Sequence, residues 1–288
     1  MLPNQANMFL PILDNWEEYF QDPHEGLGTT YERFLLHELF SMLDEKFTIE
    51  SVLEVPSFGM TGVSGINSLW WAQQGKQVVV LDDNKDRIEY IKQVWADLNL
   101  PVSISLFNEK SLQFEAKSFD LVWNFAALWF VNDLADFSNQ LKRIARQVIF
   151  ICVPNMNGIG FRWRLRQYPL PEKIRLENIE PNRIKTYFSD SEWELWKTDL
   201  FDVPPWPDIP LKKEELVKRL LPWKFKGTES IDPSEKKQED RVTIIDYFSG
   251  ANKHLQREMK KYRFLERSPE FFRNLWGHHR YFIFKRKQ

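Results

Sequence analysis

The chain has 288 residues, 43% hydrophobic and 28% charged, enough to bury the core of one large α/β domain or of a domain with an inserted cap. A formal net charge of −2 gives no overall attraction for nucleic acid, and a single cysteine, Cys152, excludes both an intramolecular disulfide and a cysteine-based metal cluster, as expected of a cytoplasmic setting. No apolar run approaches ~20 residues and the N-terminus has no basic lead-in before Pro3, Pro11 and Asp14, so neither secretion nor a membrane span is expected.

Phe34, Leu35, Leu39, Met42 and Leu43 recur at helical spacing and predict an amphipathic helix over 29–47. "SVLEV" then reads as a strand, followed by a loop with glycines at 59, 62 and 65, a helix over "INSLWWAQQ" closed by Gly75, and the strand "QVVVLDDN". Glycine lacks Cβ, so this loop can take positive φ or let a ligand approach the main chain. A helix over "KDRIEYIKQVWADLNL", strands over "VSISLF" and "SFDLVWNF", a helix over "DLADFSNQLKRIA" and a strand over "QVIFICVPN" continue the alternation. Such alternation with continuous apolar strands predicts an α/β fold, a parallel sheet covered by helices on both faces, with ligands at the carboxyl ends of the strands.

Beyond Asn155 the sequence is rich in Trp, Pro and charge, with "DVPPWPDIP" as a stiff segment and "DPSEKKQED" as a solvated loop. Ser189 and Glu192 form a capping-box pattern that predicts a helix start, and further helices are expected over "LKKEELVKRLL" and within 240–264. The closing "RYFIFKRK" returns to a strand pattern.

Residues 48–156 resemble the class I adenosylmethionine-dependent methyltransferases, near the ubiquinone and menaquinone group. The resemblance rests on Glu54 ending the first strand, the Gly59/Gly62/Gly65 loop, Gly75, Asp82 ending the second strand, "SFDLV" from Ser118 to Val122, and Pro154-Asn155. It implies a Rossmann-like, doubly wound, mostly parallel seven-stranded sheet with an inserted cap region. The expected divisions are an N-terminal helical lid at 1–47, the cofactor-binding core at 48–156, a cap mixed with late core elements at 157–270, and a final strand at 271–288. Two departures stand out: the glycine loop is longer than the family's usual one, and Asn108 replaces an aspartate, although its amide oxygen can still accept a hydrogen bond.

The resemblance implies adenosylmethionine as cofactor, held by Glu54, Gly59, Gly62, Gly65, Asp82, Asp83, Asn108, Glu109 and Asn124. Asp82 would accept from the ribose hydroxyls or else cap the following helix. At a strand end its replacement is expected to leave the fold intact. Glu54 would meet the cofactor's ammonium, or serve only the fold. Tyr31, His24 and Asn124 are candidate catalytic groups, though methyl transfer from a sulfonium can proceed without a general base. Tyr31, Arg33, Asn155, Arg162, Trp163 and Trp206 are candidate acceptor contacts, the arginines suiting an anionic head group and the tryptophans an apolar body, or alternatively a solvated helix face. Trp129 falls in a loop expected to face the crevice or the cap, where it would meet an apolar acceptor or pack cap against core. His278-His279 has no carboxylate near it in sequence, so no metal site is expected. An unidentified small molecule is the expected methyl acceptor, with neither nucleic acid nor membrane as partner. A non-catalytic binding or scaffold protein of the same fold is the alternative; an NAD(P)-dependent oxidoreductase is disfavoured because the loop lacks G-x-G-x-x-G.

Overall fold

The structure, a computed structural model, describes residues 9–10, 13, 16–17, 27–58, 65–204, 248–250, 257 and 260–287. Helix α1 (Leu27–Phe47) leads into strand β1 (Ser51–Glu54), helix α2 (Leu69–Gln73), β2 (Gln77–Asp82), α3 (Lys85–Asp97), β3 (Ser103–Leu106) and β4 (Phe119–Phe125). There follow α4 (Leu134–Ile144), β5 (Ala145–Pro154), α5 (Ile159–Gln167), α6 (Pro181–Phe188), β6 (Trp193–Phe201), α7 (Glu270–Trp276) and β7 (His279–Arg286).

The seven strands form one sheet in the order β3-β2-β1-β4-β5-β7-β6. Parallel pairing joins β3 through to β5, and β7 runs antiparallel to both β5 and β6. This is the mostly parallel, doubly wound sheet expected from the sequence.

Alternate residues of each strand feed two cores on opposite faces. Val52, Phe150 and Cys152 pack with Phe40 and Leu43 of α1, Trp71 of α2 and Trp95 of α3. Leu53, Ile149 and Ile151 pack with Leu141 and Phe137 of α4 and Ile184 of α6. Fully buried strands of this kind carry continuous apolar runs because both faces are covered. Trp71, Trp95 and Trp123 are core residues, and so is Trp129, fully buried against Phe9 and Phe161, in line with its cap-to-core reading.

The capping-box expectation at Ser189 is overturned. Ser189 ends α6, and the Asp190 carboxylate accepts from the amides of Glu192 and Trp193 to turn the chain into β6. Asx-turn chemistry competes here with helix initiation, and the β-rich residues after it decide for a strand. The helix expected at "LKKEELVKRLL", and most of that expected within 240–264, lie outside the described residues. Among the described residues, no helix is long and apolar enough to cross a membrane.

Candidate functional site

Strand order reverses between β1 and β4, which lie side by side while their neighbours run outward in opposite directions. In an open α/β sheet, such a switch point leaves a crevice beyond the strand ends where ligands bind. Glu54 closes β1 beside Trp123 of β4, and Asn124 follows with its side-chain amide donating to Val55 O at 3.3 Å. Glu54 is fully buried, and neither carboxylate oxygen finds a donor in hydrogen-bond geometry among the described residues. Burial pushes its carboxyl up to about 8; the Ser68 hydroxyl and amide oppose this, the Asp82 charge adds to it, and Arg33 acts weakly against it. A buried, nearly donorless acid at a switch point is costly unless a cation or donor arrives. The Asn124 amide oxygen is likewise buried without a donor.

Asp82, at the end of β2, is fully buried. It accepts from Ser57 Oγ at 2.6 Å, from the Asn84 amide at 2.9 Å, and from Arg87 Nε at 2.9 and 3.0 Å. Arg87 reaches back from the first turn of α3, which Asn84 caps by accepting from the Arg87 amide. The guanidinium lies over the Phe58 ring at 3.9 Å and also bonds the more exposed Asp83. Neither the ribose nor the capping role expected of Asp82 involves Arg87, its closest charged partner. The same bonds correct the expectation that losing Asp82 would spare the fold.

Gly59 and Gly62 lie outside the described residues, as do His24 and Trp206. Gly65 has φ +68°, a left-handed conformation that favours glycine, and a Cβ there would sit 2.7 Å from Ile91 Cδ1, so the tip of that side chain would have to shift. Its carbonyl accepts from Trp95 Nε1 at 3.0 Å. Beyond β3, Asn108 Oδ1 accepts from the Lys110 amide at 3.1 Å. Glu109 accepts from the amides of Asn132 and Asp133, each at 2.7 Å, and holds the loop that starts α4.

On the α1 face, Tyr31 is fully buried and donates to Glu266 Oε1 at 2.9 Å. Burial and the Glu266 charge push its phenol well above the usual tyrosine range, which disfavours service as a base. Arg33 is also buried, donates to Asn67 Oδ1, and lies over the Phe248 ring at 5.5 Å. Asn155 donates to the carbonyls of Asn274 and Gly277, each at 2.8 Å, and so ties the exit of β5 to α7. Arg162 and Trp163 lie on α5, which buries none of its residues; Trp163 is 55% exposed and meets Tyr168 edge-on. The structure thus separates the acceptor candidates: Tyr31 and Arg33 lie inside, Asn155 braces the scaffold, and Arg162 and Trp163 face out.

No carboxylate accompanies His278-His279 in sequence, but the fold brings two to His279. Glu32 of α1 and Asp202, just past β6, come to His279 at the start of β7, with one candidate ligand atom from each within 4.8 Å of the others. All three are buried. They come from distant parts of the chain with no spacing motif, so only the packing of α1 across the ends of β6 and β7 reveals the group.

Residues 59–151 match the family described as "Methyltransferase domain". No curated protein matches the chain in sequence. Among solved structures, a Galdieria sulphuraria protein assigned as a sarcosine dimethylglycine methyltransferase is 11% identical, with 88% of this chain and 85% of that one covered at a TM-score of 0.48. The YcgJ protein of Bacillus subtilis is 11% identical, with coverage of 88% and 99% and a TM-score of 0.47. A SAM-dependent methyltransferase from Aquifex aeolicus is 13% identical, with coverage of 56% and 83% and a TM-score of 0.43.

Proposed function

We propose that the chain, whose residues 59–151 match a methyltransferase domain, binds S-adenosylmethionine at the carboxyl ends of β1, β2 and β4 and methylates a small molecule. The observation that carries this reading is Glu54, a fully buried acid at the switch point and directly before the glycine loop, with no donor in good hydrogen-bond geometry among the described residues and only the weak influence of Ser68. The ammonium and sulfonium of such a cofactor would set a positive charge beside Glu54, where Arg33 acts only weakly. The cofactor would supply a methyl group already activated by its sulfonium.

The chain's own residues would then bind and align. Glu54 would hold the cationic end, and Asn124 would offer its buried amide oxygen beside it. Asp82 would take the ribose hydroxyls only by exchanging its bonds to Arg87 and Ser57. Gly59, Gly62, Gly65, Asp83, Asn108 and Glu109 complete the proposed cofactor set; Gly65 and Glu109 carry structural duties as well. Tyr31 and Arg33 are the proposed acceptor contacts. The exposed Arg162 and Trp163 could reach an acceptor only from outside.

A second reading is favoured by the Asp82–Arg87 pair. A protein whose ribose acid is permanently bonded to its own arginine would keep the fold and bind no cofactor, serving as a non-catalytic partner. Titration calorimetry with adenosylmethionine, adenosylhomocysteine and NAD separates the two. Binding of the first two alone is expected, and loss of that binding in Glu54→Gln is expected with it. No heat from either adenosyl ligand sinks the methyltransferase reading in favour of the second.

A further inference from the structure

We propose that Glu32, Asp202 and His279 form a binding site for a divalent first-row transition ion. Each ligand comes from a different element: Glu32 from the first turns of α1, Asp202 from the residue after β6, and His279 from the first position of β7. His279 pairs in register with Phe201 of β6 and Pro154 of β5, so the group sits where three strands end, under α1. Ligands bound to one ion at roughly 2.0–2.2 Å lie about 3–4.4 Å apart. The three candidate atoms fall within 4.8 Å of one another, so a few tenths of an ångström of side-chain movement brings them to that spacing.

The surroundings suit this function. His279 Nδ1 is 3.2 Å from Glu32 Oε2, and its ring is held between Phe125, with centroids 4.8 Å apart, and Phe201, at 5.8 Å. Asp202 has φ +58°, a left-handed conformation that aspartate tolerates better than most residues, and the His278 amide donates to its carbonyl at 3.0 Å. The three residues are 6%, 2% and 1% exposed. Two carboxylates brought together out of water repel, and an ion between them turns that repulsion into ligation. One imidazole with two carboxylates suits Zn²⁺, Fe²⁺ or Mn²⁺; Mg²⁺ and Ca²⁺ favour oxygen alone.

The test uses the full chain, stripped with a chelator and titrated with Zn²⁺ and, as a spectroscopic probe, Co²⁺. Binding of about one equivalent is expected, with Glu32→Gln and Asp202→Asn each weakening it by about tenfold or more, and Glu89→Gln on the exposed face of α3 leaving it unchanged. Nitrogen NMR of the wild-type imidazoles should show the His279 ring shifting on Zn²⁺ addition, a readout that stands even where the variants fail to fold. Absence of stoichiometric binding, equal affinity in the variants, or an ion bound with the His279 ring unshifted overturns the site.

Discussion

Arg87 lays its Nε between the two oxygens of Asp82, 2.9 Å from one and 3.0 Å from the other, with the acid fully buried and the arginine 4% exposed. Removing one partner of a buried pair strands the other's charge, typically at a cost of about 3–5 kcal/mol. Asp82→Ala and Arg87→Ala are both expected to destabilise the chain by several kcal/mol, with Asp83 softening the loss in the first. Their effects on adenosylhomocysteine should part. The acid variant should lose binding, and the arginine variant, with Asp82 released, should gain affinity relative to wild type. Equal affinities in wild type and Arg87→Ala, measured by calorimetry, would show that Arg87 does not compete for the ribose acid.

Glu54 makes stability depend on pH. Its carboxyl is raised from 4.5 to about 8 in the folded chain, so the folded state holds a proton that the unfolded state has released. Stability from this group is therefore full below pH 4.5, falls as pH rises through the window from 4.5 to about 8, and falls no further above it. The slope within the window is up to about 1.4 kcal/mol per pH unit. Glu54→Gln should flatten it, and the variant should be the more stable protein at the alkaline end. Urea titrations across this range that give parallel curves for wild type and variant would rule out burial as the controlling influence on Glu54.

At Gly65 the backbone and the packing make the same demand. A φ of +68° is strained for any residue with a Cβ, and that Cβ would press on the end of the Ile91 side chain at 2.7 Å. Gly65→Ala should destabilise by about 1–3 kcal/mol. Combining it with Ile91→Val should recover part of the steric share but none of the backbone share. Strict additivity of the two changes in chemical denaturation would show that the two groups do not meet.

The sheet was legible because its information is local. "SVLE", "QVVVLD" and "FDLVWNF" are short apolar runs separated by helix-period segments, and their length and β-branched or aromatic content set them apart from helices. Glu54 and Asp82 could be placed at strand ends for the same reason. What escaped was everything set by contact across the fold. Arg87 lies five residues after Asp82, on the helix that follows β2, but only the fold-back over Phe58 shows that the two bond. For Trp129 the sequence left acceptor contact and cap-to-core packing open, and only Phe9 and Phe161 against it decide for packing. Ser189 carried a valid capping pattern that Asp190 used for a turn. The meeting of Glu32, Asp202 and His279 depends on three chain segments with no spacing in common.

Tyr31 and Glu266 join the N-terminal helix to the 3₁₀ turn at Arg263–Arg267. Glu266 Oε1 takes the tyrosine hydroxyl at 2.9 Å and the Val203 amide at 3.0 Å, so one oxygen fastens both α1 and the exit of β6. Burial raises the Glu266 carboxyl, and these two donors oppose the shift. A hydrogen bond to a charged acceptor contributes about 1.5–3 kcal/mol, so Tyr31→Phe, which keeps the ring and removes only the donor, should destabilise by that order. Glu266→Ala should cost more, because it also strands the Val203 amide. In a double-mutant cycle the pair should show a coupling of about 1 kcal/mol or more, and hydrogen exchange should speed up in α1 before it does in β4 or β5. Additive losses, or exchange that rises equally across the sheet, would mean that this contact does not anchor the helix.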